Sequence, residues 1–141
     1  MIILDTNVLS ELMKAKPSEV VVAWLARQSR KNLSTTSITK AEILYGVARL
    51  PEGRRKAALA RDAERMFGED FGHPLLSFDD AATTHYAEIL NIRRRAGRPM
   101  ATLDALIASI ALAIDAAVAT RNVADFEGCG IAVIDPWSPD S

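Results

Sequence analysis

Ile2-Ile3-Leu4-Asp5-Thr6-Asn7-Val8-Leu9-Ser10-Glu11-Leu12-Met13 is the stretch that decides the fold. Three consecutive apolar residues read as a short buried strand. A polar turn follows at once, and then Val8, Leu9, Leu12 and Met13 recur at helical spacing. The same alternation continues downstream. Pro17-Ser18-Glu19 starts a second helix with Val20, Val21, Trp24 and Leu25 on one face, and Leu33 to Thr36 is a strand rich in β-favouring residues. Thr39 begins a helix carrying Ile43, Leu44 and Val47, and Pro51-Glu52 opens a long charged helix to about Phe67. Leu75 to Phe78 reads as a third strand. Asp79 or Asp80 then caps a helix ending in Arg93-Arg94-Arg95-Ala96-Gly97. Thr102 caps a more apolar helix through Ile114, and Ala116 to Thr120 and Ile131 to Ile134 close the order as strands. This order predicts an α/β fold: a mostly parallel central sheet of about five strands, flanked by helices on both faces.

The chain has 141 residues, enough for a single domain spanning 1–141 with a real core. Hydrophobic residues make up 49%, which argues against disorder. The net charge of −1 leaves no global basic field, so any nucleic-acid contact must be local. Cys129 is the only cysteine and can form neither an internal disulfide nor a zinc cluster, as suits a reducing cytoplasm. Asp5 interrupts the first apolar run after three residues, too early for a signal peptide. The run from Ala105 to Ile114, broken by Ser109, is too short to span a bilayer. A cytoplasmic protein without membrane contact is expected.

Asp5, Glu42, Asp104 and Asp125, with Asn122 beside the last, each stand where a strand or helix turns over. In an open parallel sheet such positions gather beyond the carboxyl ends of the strands. Oxygen ligands of this kind suit Mg²⁺ or Mn²⁺ and point to phosphodiester chemistry. Each residue also has a plainer use. Asp5 is a favoured N-cap, and Thr39-Lys40-Ala41-Glu42 matches a capping box. Asp104 sits in a helix's first turn, where an anion is favoured. Asp125 reads equally as a loop acid and Asn122 as a turn residue. The joint pattern outweighs these separate uses. Two carboxylates about 4 Å apart repel by roughly 4 kcal/mol at an effective dielectric of 20, so three gathered together call for a cation. No lysine follows Lys56 to serve as that counter-ion, and the absence also disfavours receiver-type or phosphoaspartyl-phosphatase readings.

Four segments resemble the motifs of PIN-domain ribonucleases, specifically the VapC/FitB-type toxins of bacterial toxin–antitoxin pairs. They are Ile2 to Glu11, then Ser37 to Ile43 with Gly46, then Asp104-Ala105-Leu106-Ile107-Ala108, and Ala119 to Phe126. The closing Asp135-Pro136-Trp137 is also similar to FitB-like members. The resemblance implies a metal-dependent endoribonuclease whose Mg²⁺ (or Mn²⁺) is bound by Asp5, Glu42 and Asp104. Asn122 stands where some relatives carry Asp, so Asn122 and Asp125 are weaker candidates for the fourth position. Catalytic roles fall to Asp5, Glu42, Asp104 and Asp125, with Thr6 and Thr120 as hydroxyls that orient a carboxylate. His73 and His85 form no competing nucleophile constellation.

The resemblance further implies an RNA substrate, with tRNA one of the RNAs that relatives cut, and a small antitoxin whose C-terminal segment fills a groove. Val8, Leu9, Leu12, Val20, Val21 and Trp24 are the groove candidates. A homodimer is expected, enlarged by the antitoxin, which alone would contact operator DNA. Of the basic clusters, Arg93 to Arg95 with Arg98 precedes the Asp104 helix, so Arg94, Arg95, Arg98 and the later Arg121 are the RNA-contact candidates. Trp24 and Phe67 read as core and Trp137 as a packing anchor, leaving no evident aromatic platform. Two other readings remain open. One is a non-catalytic PIN domain binding RNA or a partner, and the other is a PIN nuclease of RNA maturation.

Overall fold

In the computed structural model, which describes residues 1–71 and 73–139, a parallel four-stranded sheet has the order β2-β1-β3-β4. Gly72, Asp140 and Ser141, part of the expected span 1–141, lie outside the described residues. The strands are β1 (Ile2–Leu4), β2 (Leu33–Ser34), β3 (Ala117–Ala119) and β4 (Val133–Ile134). The helices are α1 (Thr6–Leu12), α2 (Glu19–Ala26), α3 (Ser37–Ala48), α4 (Arg54–Arg65), α5 (Asp80–Arg95) and α6 (Thr102–Ala113). β1 pairs with β2 through Ile2↔Leu33 and with β3 through Ile3↔Val118, so β1 is central and the chain leaves it toward both edges.

Side-chain alternation along the strands builds two cores. Ile3 and Val118 point to the face covered by α5 and α6, with Ile89, Ile107, Ile110 and Phe126. Ile2, Leu4 and Ala119 point to the opposite face, with Val8, Leu9, Val21, Trp24 and Ile43. β1 and β2 are buried on both sides and β3 nearly so, which is why the sequence shows apolar runs there and not alternation; β4, at the edge, is half-buried. No helix among the described residues is long and apolar enough to cross a membrane.

Three local expectations are corrected. The segment Leu75 to Phe78 is no full strand: it contributes one bridge, Leu76 to Thr36, with Ser37 N donating to Leu76 O at 2.9 Å. A short apolar run cannot by itself reveal whether a neighbouring strand continues far enough to pair. The third helix begins at Ser37, with Thr36 as its cap, so the capping box at Thr39 does not form. Thr102 is inside α6, whose cap position is Ala101 without a side-chain bond. Asp79 does cap α5, accepting from Ala82 N at 3.1 Å. At its other end α5 stops in a reversed turn at Gly97 (φ 71°), a backbone shape that favours glycine. Gly97 N bonds Arg94 O and Arg98 N bonds Arg93 O, which fixes the entry to the segment before Asp104.

Candidate active site

Asp5 ends β1 at the point where the two neighbouring connections diverge, the usual ligand crevice of such a sheet. Its carboxylate is buried and held from three sides. Oδ1 accepts from Thr6 N at 2.8 Å, and Oδ2 accepts from the Thr120 hydroxyl at 2.8 Å and from Asn7 Nδ2 at 3.2 Å. The capping use expected of Asp5 is real, yet it occupies one oxygen edge only. Burial raises the Asp5 carboxyl above its ordinary value, and the hydrogen bonds from Thr120, Thr6 and Asn7 pull it back.

Thr120 follows β3 and is fully buried. While donating to Asp5, it accepts from Asn7 Nδ2 and from Asn122 N, each at 3.1 Å. Asn7 Oδ1 in turn accepts from Arg121 N at 3.0 Å. One network therefore locks the turn after β1 to the turn after β3.

Glu42 lies one and a half turns into α3, and its side chain is not spent on capping. Its Oε1 accepts from the Thr6 hydroxyl at 2.7 Å, which ties α3 to the start of α1. Asp104 comes from the first turn of α6 and accepts no hydrogen bond from the described residues. Its carboxyl is pushed up to about 6, first by burial and then by the charges of Asp5, Asp125 and Glu42, with Arg93 opposing. Asp5, Glu42 and Asp104 share a cleft of about 440 Å³ with Asn122, Glu11, Lys14, Arg121 and Trp137.

Asp125 is exposed, in a single 3₁₀ turn (Val123–Asp125), and reaches the other acids through its charge. Asn122 lines the cleft directly. The donor set is all oxygen and carries more negative charge than its neighbours offset, a composition that fits a hard divalent cation. Among the described residues the acids do not close into a preformed metal cage. They line a cleft into which a cation and a phosphate would bring further ligands.

The basic candidates separate. Arg93 is buried, donating to the carbonyls of Arg98 (2.8 Å), Ala124 (3.1 Å) and Glu127 (2.7 Å). Arg98 donates to Ala124 O at 3.0 Å and pairs with Glu127 at 3.3 Å. Arg94 and Arg95 are exposed at the end of α5, and Arg121 alone of the named arginines lines the cleft.

Sequence reasoning passed over Glu11, a buried carboxylate on the cleft wall. It accepts from Lys14 Nζ and Ser18 N, both at 3.0 Å, and these bonds lower its pKa. Its helical spacing opposite the apolar face gave no signal, because an acid there normally faces water. Trp137 was also under-read: it packs against the core and lines the cleft as well.

The groove assignment changes too. Val8, Leu9, Val21 and Trp24 are core, Leu12 is half-buried against that core at the edge of an apolar pocket, and Val20 is exposed on α2. The apolar groove beside the site, about 620 Å³, lies between α1, α3 and α4 and is lined by Met13, Ile43, Val47, Leu50 and Leu59. Thr6, Ser10, Lys14 and Glu42 border both groove and cleft.

The sequence matches the PIN domain family over residues 2–127. It is 37% identical to the VapC ribonuclease Y4jK of Sinorhizobium fredii, over 99% of each chain. It is 36% identical to the toxin FitB of Neisseria gonorrhoeae, over 97% of this chain and 99% of that one. Among solved structures, FitAB bound to a DNA fragment superposes with a TM-score of 0.88 at 37% identity, covering 97% of this chain and 96% of the other.

Proposed function

The chain belongs to the PIN-domain family, and from that premise we propose that it is a metal-dependent endoribonuclease acting as the toxin of a toxin–antitoxin pair. The observation that carries the reading is the convergence of Asp5, Glu42 and Asp104, from β1, α3 and α6, in one cleft where burial and their mutual repulsion lift Asp104 to about 6. The relatives named as a VapC ribonuclease and a toxin support RNA as the substrate and the toxin role.

Asp5, Glu42 and Asp104 would hold Mg²⁺, or Mn²⁺ in its place, with Asn122 or Asp125 completing the set. When bound, the ion supplies a polarised phosphate and an activated water. The remaining work falls to the chain itself. Thr120 and Asn7 fix the Asp5 carboxylate, leaving its orientation no freedom to relax. The Thr6 hydroxyl does the same for Glu42. Asp104, with no donor among the described residues, is the acid whose oxygens are open to an incoming ligand.

A cognate antitoxin belongs to the same proposal. Its C-terminal segment would lie in the apolar groove between α1, α3 and α4 and reach the cleft across Lys14 and Glu42. The similar FitAB structure, bound to a DNA fragment, is in keeping with DNA contact by the assembly; operator contact through the antitoxin and a homodimeric free form belong to the same proposal. A second reading, a PIN domain that binds RNA without cutting it, is favoured by the open arrangement of the acids and by Asn122.

Cleavage of labelled total tRNA and rRNA with Mg²⁺, Mn²⁺ or EDTA, beside Asp104→Asn, separates the two. Metal-dependent cutting lost in the variant supports the nuclease. RNA binding by both proteins with cutting by neither would transfer the case to the binding module.

A further inference from the structure

Two cations border the acidic cleft, and their surroundings differ. Lys14 is tied to Glu11 at 3.0 Å. Arg121 is exposed, and its guanidinium lies over the Trp137 ring, 5.1 Å from the centroid. None of its side-chain N–H donors meets a protein acceptor among the described residues, in contrast to Arg93 and Arg98, whose donors end on carbonyls and on Glu127. Its backbone is also fixed, because Arg121 N donates to Asn7 Oδ1 at 3.0 Å, inside the network that holds Asp5.

The indole is fixed in turn. Trp137 N donates to Asp135 Oδ1 at 2.9 Å, and the ring packs against the apolar core on the α1 side of the sheet. A guanidinium over an aromatic face keeps its plane and its N–H edge available for a bidentate acceptor. An arginine anchored at both ends, with unused donors beside a cluster of carboxylates, is suited to an anion that arrives together with a cation.

We infer that Arg121, held over the Trp137 ring, is a substrate-binding residue: it takes a backbone phosphate of the RNA strand next to the bond that is cut. Trp137 is its positioning residue and does not itself stack on a base. The inference rests on the RNA-directed reading of the cleft and adds to it the pairing of these two side chains. The charge balance follows from the geometry. The acids repel the strand unless a cation lies between, and Arg121 gives the neighbouring phosphate a fixed partner outside the cation's reach.

The test is steady-state cleavage and equilibrium binding of a single-stranded RNA that the wild-type protein cuts, with binding measured in EDTA as well. Arg121→Ala should raise KM and Kd about tenfold while kcat stays within about twofold. Its binding should lose about 0.7 from the slope of log K against log salt, the signature of one phosphate contact on a single strand. Arg121→Lys, which keeps the charge without the planar fork, should recover part of the affinity. Trp137→Leu should weaken binding about threefold and Trp137→Phe hardly at all. In the Arg121→Ala background Trp137→Leu should add nothing.

Mn²⁺ affinity and melting temperature report any general damage to the site, and both should hold in Arg121→Ala. An unchanged KM and salt slope in that variant would overturn the inference while wild-type cleavage left the nuclease intact. Additive losses in the double variant would overturn the positioning role of Trp137. If wild type binds RNA without cutting and Arg121→Ala still loses binding, the phosphate contact stands and the nuclease reading falls.

Discussion

Arg93 and Asp104 are charges placed within reach of each other, and the fold treats them in opposite ways. Arg93 is buried, and its guanidinium ends on three carbonyls, two of which belong to the 122–128 segment. Asp104 receives no donor from the described residues and sits among acids that drive its carboxyl up to about 6. A satisfied buried charge holds structure together. An under-satisfied one beside a cleft stores electrostatic energy that an incoming ligand releases, and that contrast marks where function lies.

The largest effects should fall on activity at the unsatisfied end. Asp104→Asn, or Asp5→Asn, removes a charge from the proposed metal site and should cut RNA cleavage by about three orders of magnitude, equal to about 4 kcal/mol of transition-state stabilisation. Circular dichroism and melting should show the Asp104→Asn fold intact. A variant that lost activity by unfolding would place Asp104 with Arg93 as a structural charge.

Next is the satisfied end. Arg93→Met removes the donor from three carbonyls and should destabilise the protein by about 2–4 kcal/mol in urea titrations. Because two of those carbonyls, of Ala124 and Glu127, flank Asp125, activity should fall with the folded fraction and several-fold further as that segment loosens. A stable Arg93→Met protein would break the comparison at its structural pole.

Between the poles lies Thr120, a neutral hydroxyl serving an acid. Thr120→Val removes the 2.8 Å donor to Asp5 Oδ2 and leaves Asn122 N without its acceptor. Partners that orient a ligand typically control 10–100-fold in metal affinity or activity. A loss in that range in Mn²⁺ affinity, with melting lowered by only a few degrees, is expected. A variant with full Mn²⁺ affinity would show that burial alone orients Asp5.

Asp5 was readable because it follows the apolar run Ile2-Ile3-Leu4 at a strand end, whereas Glu42 and Asp104 lie inside α3 and α6 and only the joint pattern and the motif resemblance singled them out. The strand-helix order gave the parallel sheet for the same reason: strands buried on both faces are written as unbroken apolar runs such as Ile2-Ile3-Leu4. Leu75 to Phe78 misled, since pairing depends on a neighbour that the local pattern cannot report. Arg93 and Trp137 depend on partners distant in sequence, whereas Glu11, bonded to nearby Lys14 and Ser18, gave no sign of its burial. Arg93 finds its carbonyls some thirty positions on, among 124–127, and Trp137 meets Arg121 only because β3 and β4 are adjacent. The groove candidates divide for the same reason, with Val8, Val21 and Trp24 in the core and Leu12 on the wall of an apolar pocket: helical periodicity shows that a face is apolar and is silent on whether core or groove lies against it.

The smallest effect is a pH dependence, and it probes the stored energy itself. In the metal-free protein Asp104 holds its proton up to about pH 6, whereas in the unfolded chain it releases it near the ordinary value of 3.8. Below pH 3.8 both states are protonated and the group contributes nothing. Between there and pH 6 the folded state binds more protons, so stability falls as pH rises, and above pH 6 the cost is complete. The full shift corresponds to about 3 kcal/mol at 1.36 kcal/mol per pKa unit, and solvent screening at this half-buried position reduces it to about 1 kcal/mol. Asp5, also raised, acts in the same sense, while Glu11, lowered by Lys14, acts in the opposite sense. Comparing wild type with Asp104→Asn isolates the Asp104 part. In EDTA the variant should gain about 1 kcal/mol on wild type between about pH 3 and pH 7. Saturating Mg²⁺ should reverse the order, because only the protein that binds the ion is stabilised by it. A pH-independent difference would mean that Asp104 is no more strained than a surface acid, and the contrast with Arg93 would collapse.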